Sequence, residues 1–134
     1  MNLHQYQKAQ VYYQQSFRLA PIHETAQALA ILFLKTDKPE NALTYLKFLN
    51  QNNQSRVNYS VAQSLATDVV NCKTMLKSDS LNVELLNQIA MNYFKMQNVE
   101  IALKYAGRAS KLDRQNKTSL ELLYKINLLS KPKL

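Results

Sequence analysis

The 134 residues suffice for one domain with a usable core, and one Gly with three Pro leaves little for hairpin turns, so an all-α chain is expected. Its longest apolar run, Ala28 to Leu34, falls far short of the roughly 20 residues needed to cross a bilayer, and Met1 to Tyr13 lacks the apolar segment of a secretory signal, which points to a cytoplasmic protein. The formal net charge of +8 is uneven: residues 98–134 hold eight Lys and Arg against three Asp and Glu, a bias that bears on association and solubility rather than on fold.

Leu3, Tyr6, Ala9, Tyr13, Phe17 and Ala20 recur every three or four positions and predict a helix over 3–19, ended by Pro21. A second helix is predicted over 23–35. Pro39, suited to a first helical turn because its missing N–H costs nothing there, opens a third over 39–51, with Asp37 or Lys38 at the cap. The polar run Asn50, Gln51, Asn52, Asn53, Gln54 and Ser55 then closes this hairpin and is too short to separate domains. Val61, Ala62, Leu65, Ala66, Val69, Cys72, Met75 and Leu76 make one stripe with no turn signal inside it, so a single long helix is expected over 59–77. Helices follow over 83–95 and 99–112, parted at Gln97 and Asn98. A last one, over 119–130, opens with Thr118 and Glu121 in capping-box spacing and stops before Pro132. The expectation is one helical domain over 1–134 with about seven helices.

Two stretches align without a gap: QALAILFLKTDKPENALTYLKFL, Gln27 to Leu49, and NQIAMNYFKMQNVEIALKYAGRA, Asn87 to Ala109. In each, an apolar residue, a small one and an aromatic (Leu29, Ala30, Phe33; Ile89, Ala90, Tyr93) lead through a polar turn to alanine and leucine (Ala42, Leu43; Ala102, Leu103). This pattern resembles the tetratricopeptide repeat, with full repeats over 23–53 and 82–116. The first helix resembles the second half of such a repeat, with Ala9, Leu19 and Pro21 at matching positions. The chain therefore opens on half a repeat, either cut at Met1 or serving as an N-terminal cap. Ala42 and Ala102 lie 60 residues apart, eight short of two repeats of about 34. The lone helix between the repeats is expected to change the direction of the superhelix.

The resemblance implies helical hairpins that bury their apolar faces by stacking and present a curved surface to a partner. It places Ala30, Ala42, Ala90, Ala102 and Ala109 where helices approach closely. It also implies a partly apolar concave groove built from the first helix of each hairpin: Gln27, Ile31, Leu34 and Lys35, and Asn87, Met91, Phe94 and Lys95. Another protein or peptide is the expected partner, an amphipathic helix or an extended apolar segment. The Lys, Asn and Arg clamp with which some members hold acidic chaperone tails is not matched. Gln27 and Ile31 stand where its first Lys and Asn would fall, and the last helix offers Thr118 and Leu122. A small chaperone of a bacterial type III secretion subunit is the alternative implied by size and groove.

Lys104, Arg108 and Lys111 fall on one helical face, with Arg114 and Lys117 beyond, a stripe that a phosphate backbone could use. Tyr93 and Tyr105 nearby fit packing positions better than a base-stacking platform, so the stripe reads as a solvated face, with a basic-face nucleic-acid binder as the second alternative. His4 and His23 have no Cys or acid at metal-ligand spacing, and a single glycine, Gly107, cannot build a phosphate loop. Cys72 is alone and reads as a small core residue. No catalytic residue, metal or cofactor is expected.

Overall fold

Seven α-helices, packed as sequential antiparallel pairs, make up the regular structure of residues 2–52 and 58–130, the part that the computed structural model describes. They are α1 (Leu3–Leu19), α2 (His23–Lys35), α3 (Pro39–Gln51), α4 (Ser60–Ser78), α5 (Val83–Lys95), α6 (Val99–Leu112) and α7 (Lys117–Ser130). They gather into two compact units, one within Met1–Thr67 and the other within Asp68–Leu134, with the division inside α4. Of the expected closing loop of the first repeat, Asn50 to Ser55, Asn50 and Gln51 belong to the last turn of α3 and Asn52 caps it, while 53–57, like Pro132, fall outside the described residues.

In the first unit α1 starts with a capping box: Gln5 N donates to Asn2 Oδ1 at 2.9 Å and Asn2 N to Gln5 Oε1 at 2.8 Å. The apolar stripe predicted for this helix is only half used. Tyr6, Ala9, Tyr13 and Phe17 are half-buried, while Leu3 and Ala20 at its ends are exposed. The one buried residue of α1 is polar, Gln10, whose Nε2 donates to Thr36 Oγ1 at 2.8 Å and Leu32 O at 3.3 Å. It ties α1 to the last turn of α2, where Leu32 O also accepts from Thr36 N at 3.1 Å. The core beside it is Leu29, Phe33 and Ala42, packed with Tyr13, Phe17, Leu34 and Tyr45.

The second unit is built from α5, α6 and α7 with the end of α4. Leu86, Ile89, Ala90 and Tyr93 of α5 are buried, as are Ala102, Tyr105, Ala106 and Ala109 of α6 and Leu122 and Ile126 of α7. Val69, Cys72 and Leu76 of α4 are buried as well. Burial pushes the Cys72 thiol above its ordinary pKa, and Asp68 one turn earlier adds to the shift by disfavouring a nearby negative charge. Cys72 is therefore a packed, protonated thiol at neutral pH rather than a nucleophile.

The two hairpins repeat each other in details that lie 60 residues apart. Asp37 and Gln97 have φ of 59° and 64°, the left-handed conformation that ends many helices. Lys38 N donates to Phe33 O at 2.8 Å and Asp37 N to Leu34 O at 3.2 Å, and Asn98 N donates to Tyr93 O and Gln97 N to Phe94 O, both at 2.9 Å. Both are Schellman motifs, formed without glycine. Phe33 and Tyr45 stack at 5.9 Å with 7° between rings, and Tyr93 and Tyr105 at 6.1 Å with 11°. Aspartate tolerates positive φ by local hydrogen bonding, whereas glutamine has no such compensation. Gln97→Gly is accordingly expected to stabilise the protein by about 1 kcal/mol, less the entropy that a glycine adds to the unfolded chain. A urea midpoint at or below the wild-type value would show that the turn carries no strain.

The start of α7 differs from the capping box predicted at Thr118. The helix begins two residues earlier, at Lys117, because the Asn116 side chain caps it: Ser119 N donates to Asn116 Oδ1 at 3.0 Å. A shorter asparagine ahead of the lysine reaches the third amide of the helix, so Thr118 is taken into the first turn.

Candidate functional site in the second unit

The α5 helix carries a buried face and an exposed one. Leu86, Ile89, Ala90 and Tyr93 point into the core, leaving Glu84, Gln88 and Lys95 exposed and Met91 half-buried along the opposite side. An open cleft of about 500 Å³ follows that side. Asp68 of α4 and Asn116 and Thr118 at the start of α7 contribute to its walls, with Asn87 and Asn92 on α5.

Its polar groups are held in two networks. Asn87, only 5% exposed, donates from Nδ2 to Asn116 Oδ1 at 3.0 Å. Ser119 Oγ lies 2.8 Å from Asn87 Oδ1 and 3.1 Å from Asn116 Oδ1, and its single proton serves one of them at a time. This network ties α5 to the cap of α7. At the other wall, the Asp68 carboxylate accepts from Gln88 Nε2 at 2.9 Å and from Asn92 Nδ2, both on Oδ2. Asn92 is itself 6% exposed. Two carboxamides are thus oriented by one carboxylate.

Of the residues that the sequence assigns to a groove in this unit, Asn87, Met91 and Lys95 line the cleft and Phe94 does not. Phe94 is half-buried beside the turn, where its carbonyl accepts from Met96 and Gln97. Asp68, Gln88, Asn92 and Asn116 line the cleft without having been singled out by sequence. The lining mixes polar side chains with apolar surface from their stems and from Met91, its one apolar residue. In the first unit, Gln27, Ile31 and Lys35 are exposed along one line of α2, Ile31 by 47%. Lys35 Nζ lies 5.9 Å from the Tyr6 ring centroid, and Leu34 packs half-buried against the Leu29, Phe33 and Ala42 core.

The basic stripe of α6 is exposed at Lys104, Arg108 and Lys111. Two of its cations lie over the buried Tyr105 ring, Lys104 Nζ at 5.3 Å and the Arg108 guanidinium carbon at 5.4 Å from the centroid. Tyr105 is therefore a packing ring with cations against it, a contact that contributes modestly to stability. Among the described residues no group of three or more His, Cys, Asp or Glu could hold a metal ion, and no helix is long and apolar enough to cross a membrane.

A pair of antiparallel helices closed by a left-handed turn, with small residues at the helix contact and a polar face open to solvent, defines a helical-hairpin repeat fold. The tetratricopeptide-repeat family model matches residues 83–116, so α5 and α6, with the turn between them and the residues leading to α7, form a tetratricopeptide repeat. Among curated proteins, none matches this sequence. The matched repeat is of a kind that mediates protein–protein interaction, and it supplies most of the cleft wall.

Proposed function

We propose that the protein acts without a catalytic step, by holding a segment of another polypeptide against the solvent face of α5. The observation that carries this reading is the cleft itself, whose main wall is the first helix of the tetratricopeptide repeat. An extended peptide brings a donor and an acceptor at nearly every residue, and the exposed Gln88 carboxamide, held by Asp68, can answer both through its second N–H and its carbonyl oxygen. Met91 adds an adaptable apolar contact, and Lys95 a cation at one end. A chaperone of a secretion-system subunit would need several large apolar side chains to seat an amphipathic helix, and Met91 is the one apolar residue along this cleft. The α6 stripe, with two of its cations laid over Tyr105, supports a nucleic-acid partner less well than the cleft supports a peptide.

The test is retention of polypeptides from the native cell by the immobilised full chain. Gln88→Ala with Met91→Ser is expected to weaken retention of the principal bound polypeptide by about tenfold, and neutralising Lys104, Arg108 and Lys111 by less than about twofold. Helix content by circular dichroism should match the wild type in both variants. The opposite ranking would reject the cleft in favour of a polyanion on α6.

A further inference from the structure

The cleft holds a half-buried carboxylate, Asp68, that among the described residues is bonded to neutral side chains alone. Asp68 sits in a unit whose sequence holds eleven Lys and Arg against six Asp and Glu. Even so, among the described residues it makes no ion pair, and neither does Glu84 on the same cleft. Its partners are the neutral side chains Gln88 and Asn92, both donating to Oδ2. Lys95 lies on the same cleft wall without bridging either acid. We infer that the segment bound in this cleft is extended and presents a lysine or arginine side chain to Asp68 and Glu84.

The inference rests on the peptide-binding reading and adds the chemistry of the peptide. A carboxylate partly withdrawn from water gains from a cation a charge–charge attraction, strengthened by the lower local dielectric, that the carboxamide dipoles of Gln88 and Asn92 do not supply. By donating their N–H groups to Asp68 Oδ2, Gln88 and Asn92 leave their own carbonyl oxygens as acceptors, alongside Asp68 Oδ1. An ammonium or guanidinium brings only donors and so matches this set, whereas an acidic or acceptor-rich side chain does not. From Glu84 to Lys95 the helix advances roughly 16 Å, at about 1.5 Å per residue, which accommodates about five residues of extended chain. Glu84 at one end and Lys95 at the other also give the cleft a polarity, with the ligand's cation toward the Glu84 end. The remaining charge of the unit is positive and would repel a basic peptide elsewhere, so recognition is local to these two acids and specific in register.

The experiment is selection of random displayed peptides of about twelve residues on the full chain, followed by fluorescence polarisation of the enriched sequences and their Lys or Arg to norleucine counterparts. The inference expects one basic residue shared by the enriched peptides, a loss of about tenfold or more when it becomes norleucine, and disappearance of that difference in Asp68→Asn. Asparagine keeps the shape and an acceptor for Gln88 and Asn92. Glu84→Gln, at an exposed position, provides the same readout should Asp68→Asn fail to fold, with the expected difference reduced rather than abolished. Enrichment of peptides lacking a basic residue, with binding lost in the Gln88→Ala and Met91→Ser variant, would overturn the inference and leave the peptide-binding reading standing. No enrichment, or enriched peptides indifferent to that double variant, would overturn both.

Discussion

Tyr93→Ala is expected to cost about 3–5 kcal/mol of folding free energy, the range for deleting a fully buried aromatic side chain. Tyr93 is completely shielded from solvent, stacks on Tyr105 at 6.1 Å, and offers its carbonyl to Asn98 N in the turn that closes α5. Truncation loses the transfer energy of the ring and leaves a cavity that α5 and α6 cannot close without breaking the register of that turn. Total stabilities of domains this size run to about 5–15 kcal/mol, so the variant should be destabilised close to the threshold of folding. Urea unfolding followed by circular dichroism gives the measurement, and Tyr93→Phe is the companion that keeps the ring and the stack. If Tyr93→Ala lost no more than Tyr93→Phe, the stacked pair would not be central to the unit.

The same position shows how far the sequence discloses this fold. Phe33 and Tyr93 stand at equivalent places in the gapless alignment, and each stacks on the tyrosine twelve residues later. The polar turns were readable as breaks, but their geometry was not. A left-handed Asp37 or Gln97 has no compositional signature as clear as glycine, and only the shared Schellman bonds reveal it. Boundaries set by side-chain reach were also hidden, as where Asn116 rather than Thr118 caps α7.

The candidate site was half legible, for a related reason. The resemblance to the tetratricopeptide repeat picks out Asn87, Met91 and Lys95, which share one side of α5. It does not find Asp68 or Asn116, because these come from α4 and from the turn before α7, and nothing local in their sequence marks them as neighbours of α5. Nor does it separate Asn87 from an exposed ligand contact. Only Ser119 and Asn116, about 30 residues downstream, show that its carboxamide is spent on joining α5 to α7.

Ala102→Phe is expected to destabilise the protein by about 1–3 kcal/mol, with more if the helices cannot shift. Ala102, Ala106 and Ala109 lie on one face of α6, all of them fully buried, and their small size lets the backbones of α5 and α6 come close. A phenyl ring at Ala102 must enter space already occupied by neighbouring side chains, and close packing leaves little volume to absorb it. The neighbouring Leu103, 44% exposed, provides the control: Leu103→Phe should change stability by less than about 0.5 kcal/mol. The contrast between adjacent residues separates overpacking at the helix contact from any general effect of phenylalanine in α6. Equal urea midpoints for the two variants would mean that Ala102 does not sit at the α5–α6 contact, and the alignment that matches it to Ala42 would lose its physical basis.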